Sequence, residues 1–300
     1  MNDEEFYASS GTLLGALQRG LGRGVTRAMH DPDAARPAVL SCLRRDHRWW
    51  WTVDERAVYL ARLVRDLEIP VAQVLAVLDA TPPEDDENAA GLTLEVLEVL
   101  GRAGNREATE AVRRHTPEGP HPIEAAPGER PPAPVPDPTL AEARRWTTVP
   151  DHPRYWPSAH VLAGDGEERD VPALLEVVNR VPTRTEGLDR CYRGLIEGLA
   201  RIGGDEAAQV VPRLRSLWFT PHTYERAAVL HALLTFAPAD EHPRYLIEGL
   251  EDCEADVREL AVAHVELTDR TRRCLAYLRD DPMETPEVRA AAARRLDRSG

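Results

Sequence analysis

The strongest constraint on the fold is an internal repeat, because residues 96–114 match residues 195–213 at a constant offset of 99 positions. The identical pairs include Glu98/Glu197, Leu100/Leu199, Arg102/Arg201, Gly104/Gly203 and Glu107/Glu206. Self-similarity at a fixed offset is typical of proteins built from stacked structural units. One helical unit cannot bury its apolar face alone, so neighbouring units supply a shared core. The sequence therefore predicts a repeat architecture.

One arginine recurs through the C-terminal part of the chain, and we call this series the arginine ladder. Its members are Arg190, Arg226, Arg258 and Arg289, spaced 36, 32 and 31 residues apart. Each stands near the expected start of the second helix of a repeat. A guanidinium there can reach carboxylates or carbonyl groups of the adjacent repeat. We therefore predict that the ladder holds neighbouring repeats together.

Leucine, alanine and valine recur at spacings of three and four, which favours helices throughout. The chain resembles the HEAT-repeat proteins, particularly their short repeats of the phycobilin-lyase type, over about residues 31–116 and 170–298. The resemblance is carried by ValProAlaLeuLeuGluValVal at 171–178, by second helices that open with Val-Arg, and by Gly-Asp/Asn-x-Glu-Ala links. It implies an all-α fold, an α-solenoid (alpha-alpha superhelix) of helical hairpins. The family includes scaffolds, adaptors and a few enzymes.

Proline divides the chain into two predicted lobes, because nine of the 22 residues at 117–138 are proline and cannot continue a helix. We predict an N-terminal lobe at 1–116 with a capping helix at 11–29, a linker at 117–138 and a C-terminal lobe at 139–300. Residues 139–169 depart from the repeat pattern. First helices are predicted near 37–46, 70–80, 106–115, 171–180, 205–217, 240–251 and 269–280, and second helices near 53–68, 87–103, 187–202, 222–236, 255–267 and 286–298.

Charge and composition exclude several functions. The formal net charge is −14 and the sequence pI is about 5.2, which argues against binding a phosphate backbone. All 37 basic residues are arginine, a usage that suggests a GC-rich bacterial genome. Without lysine, a phosphate-binding loop, a kinase lysine and a Schiff-base lysine are excluded. An acidic N-terminus and the lack of a long apolar run predict a cytoplasmic protein with no membrane span.

No catalytic or metal-binding motif stands out, so we expect no metal and no cofactor. The four cysteines form no CxxC pair, and HExxH, GxSxG and His-Glu pairs are absent from the sequence. The glycine-rich segment at 20–24 lacks the GxGxxG spacing and is better explained by close helix packing. Arg19, Arg23 and Arg27 share one helix face, either solvated or directed at an acidic partner or an acidic turn of the same chain. The sequence thus favours a protein without enzymatic activity and leaves that question open.

Aromatic residues cluster where the predicted helix pairs turn, beginning with Trp49, Trp50 and Trp51 in a row. Turns within stacked pairs line up along one edge, so these rings and nearby arginines would form a surface that we call the aromatic–arginine ridge. Tryptophan, tyrosine and arginine are enriched in interface hot spots. The alternative is that the rings fold over the helix ends and seal the core. The ridge candidates are Arg48, Trp49, Trp50, Trp51, Arg154, Tyr155, Trp156, Arg215, Trp218 and Phe219.

The sequence favours a protein-protein interaction scaffold or adaptor. An acidic concave face would suit a basic protein or peptide, and charge would steer their association. One alternative is a HEAT-like alkylpurine DNA glycosylase, which the negative charge opposes. Another is an immunity or antitoxin-like inhibitor of a basic toxin.

Overall fold

The computed structural model describes residues 7–48, 52–80, 87–115, 136–181 and 191–298. Within these ranges the chain forms helices and no strand, so the predicted all-α fold is confirmed. None of the helices in the described ranges has both the length and the apolar character needed to cross a bilayer. Trp49–Trp51 and Arg190 lie outside the described residues.

The N-terminal half, residues 7–115, begins with two short helices where the sequence predicted one capping helix at 11–29. Gly20 separates them with a positive φ of 63°, a conformation that interrupts a helix and that glycine adopts without strain. The predicted single helix is therefore wrong. The helices of this half are α1 Leu13–Gln18, α2 Gly22–His30, α3 Pro32–Leu43, α4 Arg56–Asp66, α5 Val71–Ala80, α6 Glu87–Arg102 and α7 Arg106–His115.

The C-terminal half, residues 136–298, includes a regular helix pair where the sequence predicted an irregular stretch. Thr139 starts the first helix of that pair with a capping box to Glu142, and Tyr155 opens the second helix instead of lying in a loop. The helices are α8 Leu140–Trp146, α9 Tyr155–Asp165, α10 Val171–Arg180, α11 Arg193–Ile202, α12 Gly204–Ala207, α13 Val211–Leu217, α14 Arg226–Phe236, α15 His242–Gly249, α16 Ala255–His264, α17 Asp269–Asp280 and α18 Pro286–Asp297.

Neighbouring helices pack in pairs, and the second helix of each pair contacts the second helix of the next. The pairs of the C-terminal half are α8/α9, α10/α11, α13/α14, α15/α16 and α17/α18. Its second helices therefore form a continuous series, in the order α9, α11, α14, α16 and α18. In the N-terminal half α3 pairs with α4 and α5 with α6, and α4 contacts α6.

Each half has its own apolar cluster, and the two halves meet along a buried seam. The turns between paired helices at 218–225, 250–254 and 281–285 line one edge of the C-terminal half. The N-terminal half covers this edge, since the Cys253 amide donates to the Gly20 carbonyl oxygen at 2.9 Å. Cys253 is packed within the N-terminal apolar cluster. At Cys253 the chain itself therefore covers the edge on which the sequence placed the ridge.

The glycine-rich segment at 20–24 allows the close approach at this seam. A Cβ on Gly22 would lie 1.9 Å from the carbonyl oxygen of Glu248 in α15. A Cβ on Gly20 would lie 2.3 Å from the sulfur of Cys253. Both distances are shorter than any van der Waals contact, so a side chain at either position would force the halves apart. The structure thus shows the close packing that the sequence suggested for these glycines.

Candidate partner-binding site

The arginine ladder divides into two buried members and one exposed member among the described residues. Arg226 and Arg258 each bind, through two nitrogens, a carboxylate 26 residues downstream. The Arg226 Nε–Asp252 Oδ2 distance is 2.9 Å, and the Arg258 Nε–Glu284 Oε2 distance is 2.7 Å. Paired donors facing paired acceptors fix both angle and distance. Arg289 is exposed, and its Nε lies 3.3 Å from the Arg279 carbonyl oxygen.

The same arginines also connect the two halves. Arg226 Nη2 donates to the Arg19 carbonyl oxygen at 2.9 Å. Arg62 of α4 reaches in the opposite direction, with its Nε 2.7 Å from Asp281 and its Nη2 2.9 Å from Glu284. Arg23 of the predicted stripe binds Glu248 at 2.7 Å, so an acidic group of this chain is its partner. The three arginine side chains therefore bind groups of the chain itself and hold the two halves together.

Burial at the seam changes the protonation of several side chains. Burial and the nearby Asp54 carboxylate raise the pKa of Glu254 to about 8. Burial also raises the pKa of Glu225, to about 7. Burial and the Arg56 charge lower the pKa of His222 to about 4. At neutral pH the seam therefore contains a protonated Glu254 and an uncharged imidazole.

Two of the ridge candidates have no surface to offer a partner. The Trp218 ring is fully buried and meets Tyr245 edge-on at 5.4 Å. Tyr155 is 2 % exposed, because it opens α9 and points into the core. Phe219 is partly buried under the Arg23 guanidinium, which lies 4.4 Å from its ring centre. Trp218 and Tyr155 therefore follow the alternative interpretation of the sequence, in which the aromatic rings seal the core.

The other described candidates are engaged within the chain. Trp156 is partly buried and packs edge-on against Tyr155 at 6.0 Å. The predicted ridge is therefore not a continuous exposed surface in the described ranges, and its Trp49–Trp51 part stays a prediction. Each of the three arginines has an intramolecular contact: Arg48 binds Asp46 and Glu95, Arg154 lies 5.3 Å from the Trp146 ring centre, and Arg215 binds Glu241.

An open groove lies instead on the face formed by the second helices α11, α14 and α16, and we call it the second-helix groove. Its volume is about 430 Å³. Arg193 is its single arginine and is held by Glu197 at 2.8 Å and Asp256 at 3.4 Å. Glu259 adds a third carboxylate, so acids outnumber arginine by three to one. The remaining lining residues are Ala227, Ala228, His231, Leu260 and Ala263.

A second cavity, of about 480 Å³, adjoins the groove and shares His231 with it; we call it the histidine cavity. It lies between α14, α15, α16 and the start of α17. Three imidazoles and one carboxylate, that of Glu266, line it. Leu246 and Val265, both nearly buried, contribute apolar wall. The other lining residues are Leu234, Thr235, Ala239, His242, Pro243, Ile247, His264, Thr268 and Thr271.

The groove presents carboxylates and the cavity presents imidazoles beside an apolar wall. Among the described residues, no three His, Cys, Asp or Glu side chains come together in a way that could hold a metal ion. The sequence analysis placed its candidate residues at the turns and named no residue of the second-helix face. Arg193 and Glu197 at i, i+4 and Asp256 and Glu259 at i, i+3 were the available signal, since each spacing puts two charges on one helix face.

Comparisons with known proteins give no further guide to the site. No family model, no curated protein and no solved structure matches this chain.

Proposed function

We propose that this chain is an α-solenoid of HEAT-like hairpins that acts as a non-enzymatic interaction module and binds a basic segment of a partner protein. The continuous series of second helices supports the solenoid. The single observation that carries the function is the second-helix groove, where three carboxylates surround one arginine that two of them already bind. A basic peptide would compensate the remaining charge.

The size and charge of the groove favour a short segment over a broad protein surface. Its floor is made of small apolar residues, Ala227 and Ala263 among them, which let a peptide backbone approach the helices. Arginine or lysine side chains of the segment would pair with the carboxylates of Glu259 and Asp256. The overall charge of −14 would increase the rate of encounter with a basic partner at low salt.

The proposal is tested by the binding of a fluorescent arginine-rich peptide, measured by polarisation at low salt and at about 0.15 M salt. We expect binding that weakens with salt, and no binding of the matching glutamate-rich peptide. Glu259→Gln should weaken binding about two- to fivefold, the size of one exposed ion pair. Asp256→Asn should cost more, because it also releases Arg193 to repel the peptide.

Glu206→Gln is the matched control, since Glu206 is exposed on α12 and does not line the groove. Equal losses in Glu206→Gln and Glu259→Gln would contradict a localised site. A short DNA duplex serves as a third probe. Tight, salt-sensitive binding of that duplex would replace our proposal with the glycosylase alternative.

A further inference from the structure

We propose that the histidine cavity takes an aromatic side chain of the same partner segment, placed about four residues from its basic residues. This inference rests on the proposed function and specifies the partner further. A partner segment would then be recognised at two sites: charge in the groove and one ring in the cavity. His231, which lines both, marks the boundary between them.

The cavity has the size and walls of a side-chain pocket. Its volume of about 480 Å³ falls within the ~300–1,000 Å³ common for ligand sites. Leu246 and Val265 are 5 % and 2 % exposed, so the wall they contribute belongs to the packed core. Because this wall is rigid, an aromatic ring can bind against it without a prior rearrangement of the protein. Large, rigid aromatic residues are also the usual anchors of protein interfaces.

The side chains that line the cavity suit an aromatic ring. Three imidazoles face the space, and Glu266 is the single carboxylate in the lining. His242 is held by the Ala237 carbonyl oxygen, 3.0 Å from its Nε2, so the start of α15 is fixed beside the cavity. Imidazole rings stack well on aromatic rings. An indole N–H or a phenol O–H can donate to Glu266.

The number of residues between the aromatic and the basic side chains of the segment follows from the geometry of α14. Ala227 lines the groove, His231 lines both sites and Thr235 lines the cavity, and these three residues stand one above another at i, i+4 and i+8. Eight residues of helix rise by about 12 Å. An extended peptide covers that length in about four residues. A segment that runs along α14 therefore places its ring about four residues from its basic side chains.

The anchor is tested first without any charge, by adding N-acetyl-tryptophanamide to the full chain and following the histidine ring signals by NMR. We expect saturable shifts of His231, His242 and His264, and none of His30, which lies on α2. Thr235→Phe, which fills the mouth of the cavity, should abolish the shifts. Thr148→Phe is the matched control, since both threonines are exposed and donate to a backbone carbonyl oxygen.

The spacing is tested with arginine-rich peptides that carry one tryptophan next to the basic run, about four residues from it, or well beyond it. We expect the peptide with its tryptophan about four residues from the basic run to bind about tenfold more tightly than a peptide without tryptophan. Thr235→Phe should remove that gain in affinity. Leucine in place of tryptophan giving the same gain would overturn the aromatic anchor. So would an absence of histidine shifts and of any tryptophan-dependent gain.

The two proposals fail in different ways. If the arginine-rich peptide binds and tryptophan adds nothing, the anchor is wrong and the basic-segment proposal stands. If tryptophanamide shifts the three histidines but arginine-rich peptides do not bind, the basic segment is wrong and the cavity is supported as a site for aromatic groups.

Discussion

Replacing Arg226 with methionine tests whether the ladder holds the structure together. The Arg226 side chain is fully buried and binds Asp252, also fully buried, through two nitrogens. Arg226→Met would leave that carboxylate buried without its cation, which typically costs ~3–5 kcal/mol. It also removes the hydrogen bond to the Arg19 carbonyl oxygen, which links the two halves. We expect the free energy of unfolding to fall by about 3–5 kcal/mol.

Urea unfolding followed by circular dichroism gives the free energy, and Arg289→Met is the matched control. Arg289 occupies the last ladder position but is exposed, so its replacement should change stability by less than ~0.5 kcal/mol. The double variant Arg226→Met/Asp252→Leu should recover much of the loss, because the unpaired buried charge is gone. A loss below ~1 kcal/mol in Arg226→Met, or an equal loss in Arg289→Met, would refute this account of the ladder.

Two further predictions concern the seam between the halves. Burial and the Asp54 carboxylate raise the pKa of Glu254 from an ordinary 4.5 to about 8. Between these two pH values the folded chain binds more protons than the unfolded chain, so the free energy of unfolding falls as the pH rises from 4.5 to about 8. Glu254→Gln should therefore raise the melting temperature relative to the parent chain at pH 8.5 and not at pH 5; an equal change at both pH values would contradict the protonated carboxyl. Gly22→Ala should destabilise the fold by about 1–3 kcal/mol, because its Cβ meets the Glu248 backbone, whereas Gly91→Ala, in open space on α6, should stabilise it by up to about 1 kcal/mol. Chemical denaturation measures both, and a Gly22→Ala variant at least as stable as the parent chain would show that the close approach at Gly22 does not exist.

Much of the helical pattern could be predicted from the sequence because it depends on local signals. Pro172 and Pro286 stand in the first turns of α10 and α18, as a missing amide hydrogen allows. Gly203 ends α11 with a φ of 73°. Gly20 also ends a helix, α1, with a φ of 63° and with the Leu21 amide donating to the Ala16 carbonyl oxygen at 3.0 Å. The local sequence carries this helix end, but it does not carry the contact of Gly20 with Cys253, more than 200 residues away.

Contacts between residues that are not neighbours in sequence explain two other differences between the expected and the observed structure. Thr52 and Glu55 have the Thr-x-x-Glu spacing that is typical of a capping box. In the structure, Glu55 gives the α4 amides no side-chain hydrogen bond and instead accepts one from the Ala255 amide at 2.7 Å. Trp218 was a ridge candidate because it lies in a turn between paired helices, and the structure shows the alternative, burial beside Tyr245. In each case contacts between distant parts of the chain overrode the local signal. The second-helix groove has no local signature because its charges come from two helices, α11 and α16, that are far apart in sequence.

Site-specific photo-crosslinking tests the binding face most directly. A benzophenone amino acid would be placed at position 263, where Ala263 lines the second-helix groove, or at position 53, where exposed Val53 follows the three tryptophans. The partner would be an arginine-rich peptide carrying one tryptophan, and crosslinked products would be identified by mass spectrometry. Our account predicts crosslinks from position 263 and none from position 53. Crosslinks from position 53 alone would contradict it and would place recognition at the tryptophans.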